Sequence, residues 1–321
     1  MRLVGTGQKS PEELLLPCRW GAALSAQKVG FGEELAEVVG TLVQDPPAVG
    51  SPVAVEKQFE VQRLHGAGNN WVYRLCHAGE AFCLKIYRQD QRARALREVG
   101  GMSLLREQGQ YVAPRLLWVG LANQPPFVLM EFLSGQHLGN ARLSRRQLEC
   151  LAAATRKLHA ITPASLDVPL WNLDWDAAER LANLRQQHQA LRSQSTTCTE
   201  TAEAVRLTGS WLQGKDPALL AEKGPAVFSR GDQNLANCLW DGSELRVVDL
   251  EYCRWNDRAL DLANQVEHVQ SRDTPGTEWE WFVAQFDLSE AERKRFKAAQ
   301  RPKGIAFRDY WPGRRKCASG S

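Results

Sequence analysis

Three polar side chains late in the chain have the types and spacing expected of a metal and acid–base site. Asp232 is followed five residues later by Asn237, and Asp249 follows twelve residues after that. Two short apolar runs, joined by Asp-Gly-Ser-Glu, separate Asn237 from Asp249, which is typical of a β-hairpin. Antiparallel pairing across that turn predicts that Asn237 lies next to Asp249, with Asp232 on the preceding loop. Hard oxygen donors of this kind suit Mg²⁺, which keeps positions open for phosphate oxygens and water.

This donor set is the kind that phosphoryl transfer requires. A carboxylate orients the attacking hydroxyl, and a metal ion neutralises negative charge on the nucleotide.

A second group of candidate residues lies far upstream. Lys85 interrupts the apolar sequence Phe-Cys-Leu-Lys-Ile-Tyr, and Glu98 follows it by thirteen residues on a predicted helix. A strand lysine held by a helix glutamate fixes the α and β phosphates in kinases. The alternatives are an edge charge for Lys85 and a solvated helix face for Glu98. The Gly-rich turn His-Gly-Ala-Gly-Asn-Asn at 65–70 is a weak signal alone, but together with the pair it favours phosphate binding.

The elements that must position these residues fall into a β-rich part and a helical part. Hydrophobic periodicity predicts strands at 53–55, 59–64, 70–76, 81–87, 114–119 and 127–132. It predicts helices at 33–43, 90–108, 144–160, 174–193, 200–212, 257–270 and 289–298. Asp257 is expected to cap its helix, Asp261 to brace the Asp232 loop, and His159 to be a packed helix residue.

Composition excludes several classes of protein. The 321 residues are 43% hydrophobic and 24% charged, as in soluble globular proteins, and the net charge of +3 forms no basic stripe of the kind nucleic-acid binders carry. Eight scattered cysteines lack metal-binding spacing and indicate a reduced environment. Neither a signal-peptide core nor an apolar run of membrane length occurs. We therefore expect a cytoplasmic protein that binds neither nucleic acid nor membrane.

The ordered set of motifs resembles the aminoglycoside phosphotransferase family. The resemblance covers roughly 53–285 and rests on Gly-Asp-x4-Asn, Leu-Trp-Asp-Gly, Val-Asp-Leu-Glu, Ala-Leu-Asp-Leu-Ala, Lys-Leu-His-Ala and Met-Glu-Phe-Leu-Ser-Gly. It implies an α+β, bilobal protein-kinase-like fold with a β-rich N-lobe and a mainly helical C-lobe. Residues 1–52 are then an extension and linker, 53–133 the nucleotide-binding N-lobe, and 134–321 the catalytic and acceptor-binding C-lobe.

The resemblance also implies a role for each candidate residue. Asp232 accepts or orients the proton of the acceptor hydroxyl, and Asn237 with Asp249 holds Mg²⁺. The nucleotide, ATP or GTP, is bound by the lysine with its glutamate, by the glycine loop and by the interlobe hinge: Lys85, Glu98, Gly66, Ala67, Gly68, Asn69, Glu131 and Leu133. Such a kinase transfers the γ-phosphoryl group to a hydroxyl of a small molecule, either an aminoglycoside-like antibiotic, with a role in antibiotic resistance, or a metabolite.

Two positions differ from the family's usual pattern. Arg230 stands where the family usually has histidine before Gly-Asp, and the loop 233–236, Gln-Asn-Leu-Ala, lacks the common His-Pro pair.

Other functions fit the sequence less well. A non-catalytic, nucleotide-binding regulator of the same fold is the main alternative, although Lys85, Asp232, Asn237 and Asp249 are all present. Chance explains the adhesion tripeptide Arg-Gly-Asp at 230–232. A protein kinase is disfavoured because Asp-Leu-Glu replaces Asp-Phe-Gly. The candidate carboxylates for binding a polycationic acceptor are Asp257, Glu267, Asp273, Glu278 and Glu280, and choline, amino-alcohol, sugar and other antibiotic acceptors remain open.

Overall fold

The computed structural model describes residues 31–32, 34–55, 58–64, 70–88, 93–139, 141–163, 177–192 and 199–309. Within these residues the chain forms two compact units. The first unit runs to Gln136 and includes Arg246–Cys253, and the second contains the remaining described residues. In the part of the chain so described, every helix is too short or too polar to cross a membrane.

The first unit is built on one six-stranded antiparallel sheet. Its strands are β1 (Pro52–Val55), β2 (Phe59–Arg63), β3 (Asn70–His77), β4 (Glu80–Tyr87), β5 (Leu116–Gly120) and β6 (Phe127–Glu131). Their order in the sheet is β1-β2-β3-β4-β6-β5. Helix α1 (Leu35–Gln44) precedes the sheet, and helix α2 (Arg94–Glu107) follows β4.

Alternation along β4 sorts its side chains between two environments. Phe82, Leu84 and Ile86 belong to a hydrophobic core that also contains the buried face of α1. Because successive strand residues point to opposite faces, Lys85 and Tyr87 lie on the other face, where both contact Glu98 of α2. The strand period therefore places the ammonium group of Lys85 against the helix.

The second unit is mainly helical. Its helices are α3 (Arg145–His159), α4 (Ala177–Arg192), α5 (Thr199–Leu212), α6 (Asp216–Ala221), α7 (Arg258–Val266), α8 (Gly276–Ala284) and α9 (Glu290–Asp309). The later strands are β7 (Gln136–His137), β8 (Ala226–Ser229), β9 (Cys238–Trp240), β10 (Leu245–Val247) and β11 (Arg254–Asp257). Strands β8 and β11 pair antiparallel, with Arg254 opposite Ser229, so the residues that precede the Asp232 loop leave a paired strand.

Local sequence signals explain several helix boundaries. Ser144 forms a capping box with Gln147 at the start of α3. Asp257 accepts the backbone N–H of Leu260 at 3.0 Å, which confirms its predicted capping role. The helix predicted to reach residue 270 ends instead at Val266. His268 then has an extended backbone and caps a short 3₁₀ helix, Val269–Ser271, through its ring.

Candidate active site

A buried ion cluster in the first unit centres on Lys85. Its Nζ lies 2.5 Å from Oε2 of Glu98 and 2.7 Å from Oδ1 of Asp249, and Oε2 of Glu251 follows at 3.7 Å. Only 6% of the Lys85 side chain is exposed. The predicted pairing of Lys85 with Glu98 is therefore present, and Asp249 joins it.

Burial and neighbouring charges shift the pKa values of Lys85 and Glu98 in opposite directions. Burial lowers the pKa of Lys85, but the charges of Glu98, Asp249 and Glu251 more than offset this and leave the pKa above its ordinary value. Burial raises the pKa of Glu98, against the opposing effect of Lys85. Tyr87 donates a hydrogen bond of 2.7 Å to Glu98, and burial followed by that negative charge raises the pKa of its hydroxyl. Lys85 consequently stays a charged ammonium group, fixed in place.

Asp249 differs from the other carboxylates in exposure and in backbone conformation. Its side chain is 35% exposed, whereas those of Glu98 and Glu251 are 2% exposed. Its φ of 63° lies in the left-handed region, which aspartate enters more readily than most residues but still at a cost. Such strained positions are frequent at functional sites. Asp249 is therefore the member of the cluster that presents a carboxylate to solvent.

Glu251 is a buried member that the sequence analysis did not assign. It accepts a hydrogen bond of 2.9 Å from Arg94 at the start of α2 and one of 2.5 Å from Nδ2 of Asn70 at the start of β3. Burial raises the pKa of Glu251, and the charge of Asp249 adds to that effect. Glu251 appears in the Val-Asp-Leu-Glu motif, which was the only signal available for it.

Three carboxylates of this unit lie close enough together to hold one metal ion. One oxygen each of Glu98, Asp249 and Glu251 lie within 4.8 Å of one another. Glu98 is bonded to Lys85 and Tyr87, Glu251 to Arg94 and Asn70, and Asp249 to Lys85 through Oδ1, and of the three side chains that of Asp249 is the most exposed. An all-oxygen set with one exposed carboxylate fits a cation that keeps several waters.

In the second unit, Asp232 and Asn237 lie on one tight loop. Oδ1 of Asp232 accepts the backbone N–H of Asn234 at 3.1 Å, and Oδ2 lies 3.4 Å from Nδ2 of Asn237. Nε2 of His268 is 4.0 Å from Oδ1 of Asp232. The loop ends in a single 3₁₀ turn, Leu235–Asn237. The two predicted residues are thus neighbours, and the Asp232 carboxylate is partly exposed.

Asp261 is the buried anchor beneath this loop. It accepts hydrogen bonds from Ser229 (2.5 Å), Gln233 (2.8 Å), Asn256 (2.9 Å) and His159 (2.9 Å). Burial raises the pKa of Asp261, but the hydrogen bond and charge of His159, with the bonds from Ser229 and Asn256, lower it to about 2. The predicted bracing role of Asp261 is confirmed, as is the packing role of His159.

The remaining residues predicted to bind the nucleotide belong to the glycine loop and the interlobe hinge. The glycine loop, Gly66, Ala67, Gly68 and Asn69, lies outside the described residues. Glu131 ends β6, with its N–H bonded to the carbonyl of Arg115, and Leu133 follows two residues later. Their roles in binding a nucleotide stay predictions.

The carboxylates considered for a polycationic acceptor differ in their surroundings, although Glu267 and Glu280 line the same cavity. Asp257 pairs with Arg295 at 2.7 Å, Glu278 with Arg145 at 2.8 Å, and Glu267 accepts a bond from Gln300 at 3.0 Å. Asp273 and Glu280 are exposed.

The fold agrees with comparisons with known proteins. The structure has a kinase-like α+β fold, with a β-rich N-terminal part and a mainly helical C-terminal part. A family model, described as the phosphotransferase enzyme family, matches residues 60–299. The chain belongs to this family. No curated protein gave a match to the sequence.

Solved structures with the same fold are distant in sequence. An ADP-bound aminoglycoside phosphotransferase is 14% identical, with a TM-score of 0.58 over 82% of this chain and 86% of that one. A spectinomycin phosphotransferase in complex with ADP and spectinomycin is 12% identical, with a TM-score of 0.57 over 85% and 84%. A choline/ethanolamine kinase family protein from Mesorhizobium loti is 21% identical, with a TM-score of 0.54 over 83% and 81%. At these identities the likeness shows the fold.

Proposed function

We propose that this protein transfers the γ-phosphoryl group of ATP or GTP to a hydroxyl group of a small molecule. The observation that carries the proposal is the buried Lys85 ammonium group, held between Glu98 and the exposed carboxylate of Asp249. A fixed cation beside a solvent-facing carboxylate is suited to a polyphosphate with its counter-ion. Membership of the phosphotransferase enzyme family supports this reading.

The chain's residues divide the chemistry between them. Lys85 binds phosphate oxygens of the nucleotide through its positive charge. Glu98 holds the ammonium group in place, and Tyr87 holds Glu98 by a hydrogen bond of its own. Asp232 accepts a hydrogen bond from the acceptor hydroxyl and takes its proton as the oxygen attacks the γ-phosphorus. The bond from that phosphorus to the β–γ bridging oxygen breaks, and the nucleoside diphosphate leaves with the bond's electrons. Asn237 and Asp249 are the proposed ligands of Mg²⁺, which when bound neutralises negative charge on the phosphates.

The charges around the second unit favour an acceptor of low positive charge. Asp257 and Glu278 are each paired with an arginine, which lowers the negative charge available to a highly cationic acceptor such as an aminoglycoside. An acceptor with one cationic group or none, such as an amino alcohol or a sugar, suits the described residues at least as well.

Two substitutions and one screen test the proposal. We expect Asp232→Asn to lose phosphoryl transfer by about a thousandfold, on the scale of a lost general base, while nucleotide affinity stays within about twofold. Asp249→Asn should lose Mg²⁺-dependent nucleotide binding, measured by isothermal titration. Glu244→Gln, at an exposed turn position, is the matched control.

The screen couples nucleotide consumption to acceptors drawn from aminoglycosides, choline, amino alcohols and sugars. Nucleotide binding without transfer to any acceptor favours a non-catalytic regulator instead. Equal turnover of Asp232→Asn and the natural protein excludes the proposed role of Asp232.

A further inference from the structure

The arginine before Gly231 makes an unusual set of contacts for a buried cation. Arg230 is 3% exposed. Its guanidinium donates to Oε1 of Gln233 (2.8 Å), the carbonyl of Asn234 (3.2 Å), Sγ of Cys238 (3.0 Å) and Oε1 of Gln265 (2.5 Å). Within the described residues all four acceptors are neutral groups. Burial raises the pKa of the Cys238 thiol, so that group does not supply a counter-charge at neutral pH.

One amide side chain links Arg230 to the buried carboxylate of Asp261. Oε1 of Gln233 accepts from Arg230, and its Nε2 donates to Oδ1 of Asp261 at 2.8 Å. A guanidinium can only donate and a carboxylate can only accept, so the bridging side chain must offer an acceptor at one end and a donor at the other. Gln233 meets this condition in a fixed orientation. A glutamate there lacks the donor, and a leucine lacks both groups.

The same contacts fix the backbone that carries Asp232. The carbonyl of Asn234 accepts from Arg230 and from the backbone N–H of Asn237 at 3.0 Å, while the N–H of Asn234 donates to Asp232. Gln265 of α7 also contacts the loop backbone, since its Nε2 lies 3.4 Å from the carbonyl oxygen of Gln233. Every bond that Arg230 makes is therefore to the loop between Asp232 and Asn237, to the residue that follows it, or to the helix beneath it.

We propose that Arg230 and Gln233 form a matched positioning pair, which holds the Asp232–Asn237 loop in its reactive geometry. The inference rests on the proposed phosphotransfer function for its catalytic consequence, but the geometric part is independent of it. Arg230 is itself one departure from the usual pattern, and it contacts Gln233 and Asn234 of the loop that carries the other. Replacing Arg230 removes the donor to Oε1 of Gln233, and replacing the Gln233 amide breaks the link to Asp261.

The pair is tested by Arg230→Lys, Gln233→Glu and their double variant. Lysine keeps the charge but loses the guanidinium fork, and glutamate keeps the shape of glutamine but loses the donor to Asp261. Each single variant should lower kcat for nucleotide turnover by about tenfold or more. The KM for the nucleotide should change less than kcat, because Lys85 and Asp249 lie outside the loop and only Asn237 within it is a proposed ligand of the metal. The double variant should lose much less than the product of the two single effects.

Arg295→Lys is the matched control. Arg295 is also buried and in the same unit, but it pairs with Asp257 through two nitrogens, at 2.7 and 3.1 Å, outside the loop. It should lower the melting temperature without changing kcat per folded molecule. A fall in kcat for Arg295→Lys equal to that for Arg230→Lys overturns the proposal, because general destabilisation then accounts for both.

Amide hydrogen exchange separates this inference from the proposed function. In Arg230→Lys and Gln233→Glu, the N–H of Asn237 should exchange about tenfold faster or more, while amides of α9 are unchanged. Loss of that protection supports the positioning role even if the natural protein turns over no nucleotide, in which case only the proposed function fails. Unchanged protection at Asn237 in both variants overturns the positioning role, whatever the turnover.

Discussion

The buried carboxylate of Asp261 should make the stability of this protein depend on pH in a calculable way. Its pKa is about 2 in the folded protein, compared with 3.8 for an ordinary aspartate. Because the folded-state value is depressed, the ionised group stabilises the fold above pH 3.8, and this contribution is lost as the pH falls through about 2. The difference corresponds to about 2 kcal/mol at neutral pH, of which about 1 kcal/mol disappears between pH 6 and pH 3.

Asp261→Asn isolates that contribution. The variant should be less stable at pH 6, because an amide cannot accept from Ser229, Gln233, Asn256 and His159 in the same way. The gap in unfolding free energy between the natural protein and the variant should narrow by about 1 kcal/mol from pH 6 to pH 3, since only the natural protein has this group to protonate.

Urea unfolding at pH 6, 5, 4 and 3, followed by far-ultraviolet circular dichroism, measures this gap. The other carboxyl groups titrate in both proteins, so their effect on the free energy of unfolding largely cancels in the gap between them. The exposed Glu244→Gln variant tests this cancellation, because its gap from the natural protein should stay nearly constant with pH. A gap that stays constant within about 0.3 kcal/mol across the series refutes the depressed pKa of Asp261.

Two further results are expected in the first unit. Lys85→Met leaves the carboxylates of Glu98 and Asp249 facing each other without a cation, so it should cost about 3 kcal/mol of stability and abolish measurable nucleotide binding by calorimetry. Unchanged melting temperature and affinity, with the exposed Lys157→Met as control, would contradict this. Burial raises the pKa of Cys83 to about 12, so at pH 8 only about one thiol in ten thousand is ionised. Alkylation of native protein by iodoacetamide, followed by peptide mass spectrometry, should label Cys83 at least about a hundredfold more slowly than in urea, and equal rates would exclude the raised pKa.

Elements with a clear period could be predicted from the sequence. Alternation predicted β3 and β4 to within one residue of their observed bounds, and three-to-four spacing predicted α3. The short helix α6 and the helix α8, whose Trp-Glu-Trp-Phe segment has no clear apolar face, were not predicted. The four-residue strands β8 and β11 were missed because they stabilise each other across the chain rather than locally.

In the candidate site, too, contacts between residues close in the sequence could be predicted, whereas contacts between distant residues could not. The thirteen-residue spacing of Lys85 and Glu98 is a local signal, since it joins a strand to the next helix. The contacts of Glu251 span 157 residues to Arg94 and 181 residues to Asn70, so no local sequence pattern predicts them. The contacts of Arg230 with Gln233 and Gln265 depend on side-chain directions in a loop that periodicity does not describe.

The segment Arg246–Cys253 also bears on when the first unit can fold during synthesis. This segment belongs to the first unit but leaves the ribosome after most of the second unit has been made. Until it emerges, the ammonium of Lys85 has only Glu98 of its three carboxylate neighbours, and Arg94 lacks Glu251. Burying those cations without Asp249 and Glu251 is unfavourable, so the nascent unit should remain incomplete while the helical part is translated. The last step in assembling the Lys85 cluster therefore comes late in the life of the growing chain, although the strand that carries Lys85 is made early.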